Sequence, residues 1–150
     1  MHVLLVSTYD LGHQPFGLAS PAAWLAESGH QVACADLCIE VLNADRVREA
    51  DLIAFYLPMH TATRLAATAI EKVRALNPKA HICCYGLYAP LNESYLRGLG
   101  AATILGGEFE AALVSLADRL AAKRTLQTEP LISLDRLQFR VPQRSGLPSL

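Results

Sequence analysis

Five short apolar runs, each followed by a helix-like stretch, limit what this chain can fold into. Val3–Ser7 (Val-Leu-Leu-Val-Ser) and Leu52–Leu57 (Leu-Ile-Ala-Phe-Tyr-Leu) show no alternation of apolar and polar residues. A strand with one face in water alternates, whereas a strand covered on both faces does not. Both runs therefore read as central strands of a parallel sheet. Gln31–Asp36, His81–Tyr85 and Ala102–Leu105 supply three more. Apolar residues make up 52% of the sequence and charged ones 18%, a surplus that suits elements buried on two sides.

Helices are predicted over Gly17–Ser28, Asn43–Ala50, His60–Leu76, Asn92–Leu99 and Glu108–Ala122. In the third, Leu65, Ala69, Val73 and Leu76 recur at helical spacing, and Arg64, Glu71, Lys72 and Arg74 fall mostly elsewhere on the wheel. Pro78 ends it, and Gly29 and Gly100 stop two others. Pro21 is expected in the first turn of its helix, where its missing N–H costs nothing. Strand and helix repeated five times demand a parallel sheet with helices on both faces. Right-handed crossovers leave few arrangements. The commonest is a flavodoxin-like (Rossmann-like), doubly wound five-stranded sheet of order 2-1-3-4-5 in a three-layer α/β/α sandwich.

This α/β domain is expected to occupy residues 1–122. Residues 123–150 carry Pro130, Pro142 and Pro148, several basic residues and scattered apolar ones. They read as an extended linker or tail leading to an absent C-terminal domain, not as a sixth strand–helix unit.

Several functions are disfavoured. The formal net charge is −1, so a nucleic-acid partner has no electrostatic support. No apolar run approaches the roughly 18 residues a membrane span needs, and Met1–Val6 lacks the basic start of a secretory signal. A cytoplasmic protein is expected. Cys34, Cys38, Cys83 and Cys84 then read as thiols in or beside strands, not disulfides. Cys34 and Cys38 are spaced C-x3-C, but no third cysteine follows closely enough to complete an iron–sulfur site.

Ligands of open parallel sheets bind at the carboxyl ends of the strands, where strand order reverses. Here that point lies between the first and third strands, flanked by Thr8–Gly17 and Pro58–Thr63, with Gly86–Pro90 and Gly106–Glu108 as the neighbouring rim. The first loop exceeds the usual two to six residues of a strand-to-helix connection. The second brings Thr61 and Thr63 to a helix start, where ordinary capping is the simplest reading. Gly106-Gly107 allows close backbone approach to a bulky ligand, or merely a tight turn. No G-x-G-x-x-G and no P-loop is present. The third strand ends Tyr56-Leu57-Pro58, without the aspartate a receiver domain would need.

Against this frame, His13-Gln14-Pro15-Phe16-Gly17-Leu18-Ala19, then Trp24-Leu25-Ala26-Glu27-Ser28-Gly29-His30-Gln31-Val32 and the acidic strand end Asp36 form one ordered set. Gly106-Gly107-Glu108-Phe109-Glu110 precedes the last helix. Together they resemble the N-terminal cobalamin (vitamin B12)-binding domain of the cobalamin-dependent radical SAM family over about residues 1–122. Pro78–Gly86 resembles that family's fourth strand, with Tyr85-Gly86 where it often has two glycines. Phe139-Arg140-Val141-Pro142 resembles the connector into its barrel.

The resemblance implies a corrinoid over the carboxyl edge, its nucleotide tail between the first and third strands. The cofactor-binding candidates it implies are Asp10, Gly12, His13, Gly17, Met59, His60, Thr61, Gly86, Leu87, Tyr88, Gly106, Gly107 and Glu108. The methionine-synthase type of cobalamin domain supplies a lower histidine to cobalt, which many radical-SAM relatives lack; by that likeness His13 is either the lower ligand to cobalt, its imidazole oriented by a carboxylate, or a loop histidine near the corrin or in solvent. The spacing Asp10-Leu11-Gly12-His13-Gln14-Pro15-Phe16-Gly17 departs from the related Asp-x-His-x-x-Gly by one residue on each side. A [4Fe-4S] cluster and S-adenosylmethionine would belong to the missing radical SAM barrel, joined in cis or acting in trans. This chain has no C-x3-C-x2-C. By itself it is expected to bind cobalamin and catalyse nothing, while the parent transfers a methyl or other group. Two alternatives stand beside this: a flavodoxin-like module for another small ligand such as flavin, or a degenerate domain kept for protein–protein contact through Val41-Leu42 and the tail.

Overall fold

The computed structural model describes residues 1–124 and 130–147. Strand β1 (His2–Ser7) is paired on both sides. It meets β2 (Gln31–Asp36) from His2↔Gln31 to Ser7↔Asp36, and β3 (Leu52–Tyr56) from Val3↔Leu52 to Ser7↔Tyr56. β3 pairs with β4 (His81–Tyr85), and β4 with β5 (Thr103–Gly107). All these pairs are parallel, in the order β2-β1-β3-β4-β5. Unalternated burial is what the apolar runs require: Val3, Leu4, Leu5 and Val6, like Leu52, Ile53, Ala54 and Phe55, are all but sealed from solvent.

Helices α1 (Phe16–Glu27) and α6 (Glu110–Ala121) cover one face. There Leu5, Ala54, Cys83 and Tyr85 pack with Leu18, Leu25, Leu113 and Leu116. Helices α2 (Ala44–Glu49), α3 (His60–Leu76), α4 (Tyr88–Leu91) and α5 (Glu93–Leu99) belong to the other. There Val6, Ile53 and Phe55 pack with Val47, Ala66, Ile70, Val73 and Leu96. Full burial of such a side chain is worth about 1.5–3 kcal/mol, so the two faces share the hydrophobic stabilisation. No helix among the described residues is long and apolar enough to cross a membrane.

Two expectations are corrected. The sheet has six strands, not five: β6 (Leu131–Ser133) adds in parallel to β5 from Leu105↔Leu131 to Gly107↔Ser133. Three residues just after Pro130, mostly exposed, show no periodicity to read. Their role is local, since they cover the otherwise bare edge of β5. Pro21 lies in the second turn of α1, because the helix already begins at Phe16.

Beyond β6 the tail returns across α1. The Gln143 N–H donates to the Ala19 carbonyl at 2.9 Å. The Arg140 guanidinium sits 3.9 Å from the Trp24 ring centre and pairs with Glu27, and Leu147 is buried against the α1–α6 core. Pro148 lies outside the described residues.

Gly107 has φ +66°, and a Cβ there would fall 1.8 Å from the Ser133 carbonyl oxygen. Gly107→Ala is expected to cost at least the 1–2 kcal/mol or so of a left-handed alanine and to loosen β6. Faster exchange of the Glu108 N–H, which donates to the Ser133 carbonyl at 2.8 Å, would report it; unchanged exchange would refute it. His81 tests pH. Its Nε2 lies 2.8 Å from Thr103 Oγ1, and burial lowers its pKa below the ordinary value. The unfolded imidazole takes up its proton near pH 6.5 or so, before the folded one does. Folding stability should therefore fall as pH drops below that point, and His81→Gln should remove that part of the slope in chemical denaturation.

Candidate functional site

The last residue of each of four neighbouring strands forms a row at the carboxyl edge. Asp36, Ser7, Tyr56 and Tyr85 are register partners in that order. Two residues earlier, Cys34, Leu5, Ala54 and Cys83 all belong to the α1–α6 core, so the row faces α1. Ser7 and Tyr85 are fully buried, Asp36 nearly so, and Tyr56 partly.

Tyr85 anchors this row. Its ring centre lies 5.5 Å from that of Tyr56 and 4.9 Å from that of Phe109, with Tyr56 and Phe109 5.9 Å apart. Its hydroxyl donates to the Gly17 carbonyl at 2.7 Å. In an unbroken helix that carbonyl would accept the N–H of residue 21, but residue 21 is proline. Tyr85 thus fills a place in the ladder of α1 that the sequence leaves empty. Burial drives its phenol well above the usual range, so the hydroxyl keeps the proton it donates. Tyr56 is raised by burial first, then by the charges of Asp10 and Glu110. A Cβ on Gly17 would come within 2.2–2.4 Å of the Tyr56 ring, so glycine here makes room for the protein's own tyrosine.

Polar groups surround the aromatic cluster. Glu110, in the first turn of α6, accepts the Ser20 hydroxyl at 2.7 Å through one oxygen. Its second oxygen and Ser7 Oγ are buried without a hydrogen-bond partner among the described residues. Asp36 accepts the Cys38 N–H at 3.1 Å, and burial raises its carboxyl. On the α3 side, Thr8 Oγ1 donates to the Ala62 carbonyl at 2.8 Å.

All thirteen sequence candidates lie on one edge of the sheet: Gly106 and Gly107 end β5, and the other eleven lie in loops or helix starts after β1, β3, β4 and β5. Asp10 to His13 form a tight turn, closed by the His13 N–H donating to the Asp10 carbonyl at 2.9 Å, with Leu11 and Gly12 both at positive φ. The turn leaves Gly12 and His13 exposed, along with His60, Thr61, Leu87, Gly107 and Glu108. Asp10, Met59 and Tyr88 are partly covered. Burial raises the Asp10 carboxyl, and the nearby His13 partly offsets it. Gly17, Gly86 and Gly106 are buried, and each has an internal reason to be glycine. Gly86, at φ +104°, would put a Cβ 3.0 Å from the Leu57 carbonyl oxygen, and Gly106 would put one 2.5 Å from Pro90 Cγ.

One expectation changes: the cap of α3 is Met59, with no side-chain cap bond, and Thr63 Oγ1 donates back to the Met59 carbonyl at 3.1 Å. Tyr56 and Tyr85, at the ends of β3 and β4, pack on the α1 side of the edge. Among the described residues no group of three or more His, Cys, Asp or Glu could hold a metal ion. The four cysteines are free, and burial lifts the Cys34 and Cys84 thiols to about 12. Sequence reasoning missed Ser7, Ser20, Phe109 and Glu110. The strand-end alternation placing Ser7, Tyr56 and Tyr85 on one face was the available signal.

A groove of about 710 Å³ lies elsewhere, between residues 37–42 and α3. Leu37, Val41, Leu42, Leu65 and Lys72 line it, and it shares only Thr8 with the first loop. It includes none of the thirteen candidates.

No family model matches the chain, and no curated protein matches its sequence. Among solved structures it is similar to the radical S-adenosylmethionine methyltransferase TsrM from Kitasatospora setae. With tryptophan substrate and the analogue aza-SAM bound, that structure gives a TM-score of 0.70 at 17% identity, covering 83% of this chain and 26% of that one. With cobalamin and a [4Fe-4S] cluster bound, it gives 0.69 at 17% identity, covering 83% and 25%. The chain therefore spans about a quarter of that methyltransferase. A putative pilus assembly-related protein from Burkholderia pseudomallei gives 0.58 at 19% identity, covering 86% of this chain and 94% of that one. A flavodoxin-like domain from Synechococcus gives 0.52 at 17% identity, covering 81% and 97%. At these identities the likeness shows the fold: a flavodoxin-like α/β domain of the kind found in that cobalamin-bound enzyme.

Tyr85→Phe should cost about 1–3 kcal/mol, the usual penalty for a buried carbonyl left unpaired. In a Pro21→Ala background residue 21 regains an N–H for Gly17, so the same change should cost clearly less. Equal costs by urea denaturation in both backgrounds would refute the substitution of hydroxyl for amide.

Proposed function

We propose that this chain is the corrinoid-binding domain of a longer radical S-adenosylmethionine enzyme, holding the cofactor and catalysing nothing alone. The observation that carries this reading is the gathering of the candidate loops on one edge, in a backbone similar to that of a cobalamin-bound enzyme. Leu11 and Leu87, 63% and 69% exposed, offer apolar contact to a flat macrocycle. His13, His60, Thr61 and Glu108, exposed at the same edge, have polar groups suited to its amide fringe. When bound, a corrinoid supplies a cobalt centre for group transfer, and the protein supplies position and surroundings. The edge residues fit the macrocycle.

In this reading Asp10, Gly12, His13, Met59, His60, Thr61, Leu87, Tyr88 and Glu108 touch the ligand, whereas Gly17, Gly86, Gly106 and Gly107 shape the edge beneath it. His13 would be the ligand to cobalt, with Asp10 as its neighbour. The cluster and S-adenosylmethionine belong to a separate barrel domain. Free, largely buried thiols suit a reducing cytosol.

The purified chain mixed with hydroxocobalamin should carry the red chromophore through gel filtration; colour eluting wholly as free small molecule at high protein concentration would sink the proposal. His13→Ala should alter the visible spectrum of the complex. Coincident spectra at equal affinity would remove His13 from the cobalt without touching the rest.

A further inference from the structure

Helix α3 carries more apolar surface than the sheet covers. Ala66, Ile70 and Val73 are buried in the core, whereas Leu65, at the margin of that face, is 49% exposed. Across from it runs the segment after β2, where Val41 is 90% exposed and Leu37 and Leu42 are only partly buried. Of the short helix α2 only Val47 is buried, and the space between the segment and α3 stays open as the groove of about 710 Å³. That volume falls within the roughly 300–1,000 Å³ of small-molecule sites. The α3 wall, from Leu65 to Leu76, runs about 16 Å at the helical rise per residue. About three turns of one helix and the short segment 37–42 fall well short of the roughly 20–30 residues a side that a stable protein interface takes. The groove therefore suits a small ligand better than a second globular chain.

Charge narrows the ligand class. Lys72 lines the groove and has no ion-pair or hydrogen-bond partner among the described residues. Thr68, four residues earlier and so its neighbour on the helix surface, also lines the groove and adds a hydroxyl donor. Glu40, the acidic residue of the lining, is already engaged, since it accepts the Asp36 N–H at 2.9 Å. That bond holds Glu40 at the carboxyl end of β2, the end of the sheet where α3 begins. Lys72 lies further along α3, about 18 Å from its start at His60. The groove is thus apolar through its middle, negative at one end and positive towards the other.

We infer that this groove is a further ligand site, for a small aliphatic carboxylate. The chain of the ligand lies along Leu42, Leu65 and Ala69, and its head group takes the Lys72 ammonium and the Thr68 hydroxyl. A carboxylate on an ammonium gains a charge-assisted hydrogen bond, and each methylene covered by the apolar walls adds a hydrophobic increment. Glu40 repels the head group from the opposite end and so sets the direction in which the ligand lies. The site includes none of the thirteen edge candidates, and the inference does not rest on the corrinoid reading.

The test titrates the full chain with decanoate and, separately, with decanol, both below the concentration at which they aggregate, and follows backbone amide shifts by NMR. Saturable shifts centred on residues 65–72 are expected, with decanoate binding about threefold or more tighter than decanol. Lys72→Met should bring decanoate down to the level of decanol and leave decanol unchanged. Leu65→Gln, a change at a half-exposed position that the fold tolerates, should weaken both ligands by about threefold or more. No saturable shift, shifts centred elsewhere, or decanol binding as tightly as decanoate to the wild-type chain each overturns the inference. So does an acidic amphipathic peptide that saturates the same amides where decanoate does not, which would make the groove a docking site for a helix.

Discussion

The hydroxyl of Tyr85 stands where a backbone N–H would be, and much of the carboxyl edge depends on it. Pro21 takes a donor out of α1 and leaves the Gly17 carbonyl in a buried place. Buried carbonyls are almost always paired, so the helix holds its position over the sheet only if something else donates. The end of β4 provides it at 2.7 Å. One bond therefore fixes helix against strand, sets the Tyr85 ring beside Tyr56 and Phe109, and requires glycine at position 17 so that the Tyr56 ring has room. Helix break, aromatic cluster and glycine form a single arrangement.

That arrangement shapes the edge. Asp36, Ser7, Tyr56 and Tyr85 form a row beneath α1, and the exposed turn at Gly12 and His13 and the starts of α3 and α4 lie at the same edge. Adjacent glycines in such an edge invite a ligand-centred explanation. Here Gly106 is pressed by Pro90, and Gly107 by the carbonyl of Ser133. The same absence of a side chain that would let a cofactor approach lets the chain's own tail approach instead.

The sheet was legible in the sequence wherever burial on both faces left an unbroken apolar run. β1, β3 and β4 emerge at nearly the expected bounds, and α3 runs from His60 to Leu76 as its spacing implies. Pro21 is not legible in its true place because proline ordinarily avoids a helix interior, and a donor from a strand 68 positions away along the chain leaves no local trace. β6 escaped for a different reason: three mostly exposed residues can complete a ladder without any period of their own. Loop positions such as Asp10 and His60 were readable as belonging to the correct edge, because parallel topology delivers every strand-to-helix loop there. Whether a given loop residue faces outward or props up its neighbours depends on contacts such as Thr8 to Ala62 that only the folded chain makes.

The returning tail bears on when this fold can complete itself. Arg140 pairs with Glu27 across 113 positions, and Arg144 donates to Gln14 across 130. Contacts between such distant points close the largest loops in the molecule, and their entropic cost falls on whichever step forms them. The first five strands and their helices close through shorter connections. In a chain emerging from the ribosome, α1 would thus keep its outer surface, Trp24 included, uncovered until residues 140–147 had been synthesised. That nascent stage is when a chaperone, or a neighbouring nascent chain, would find this surface accessible.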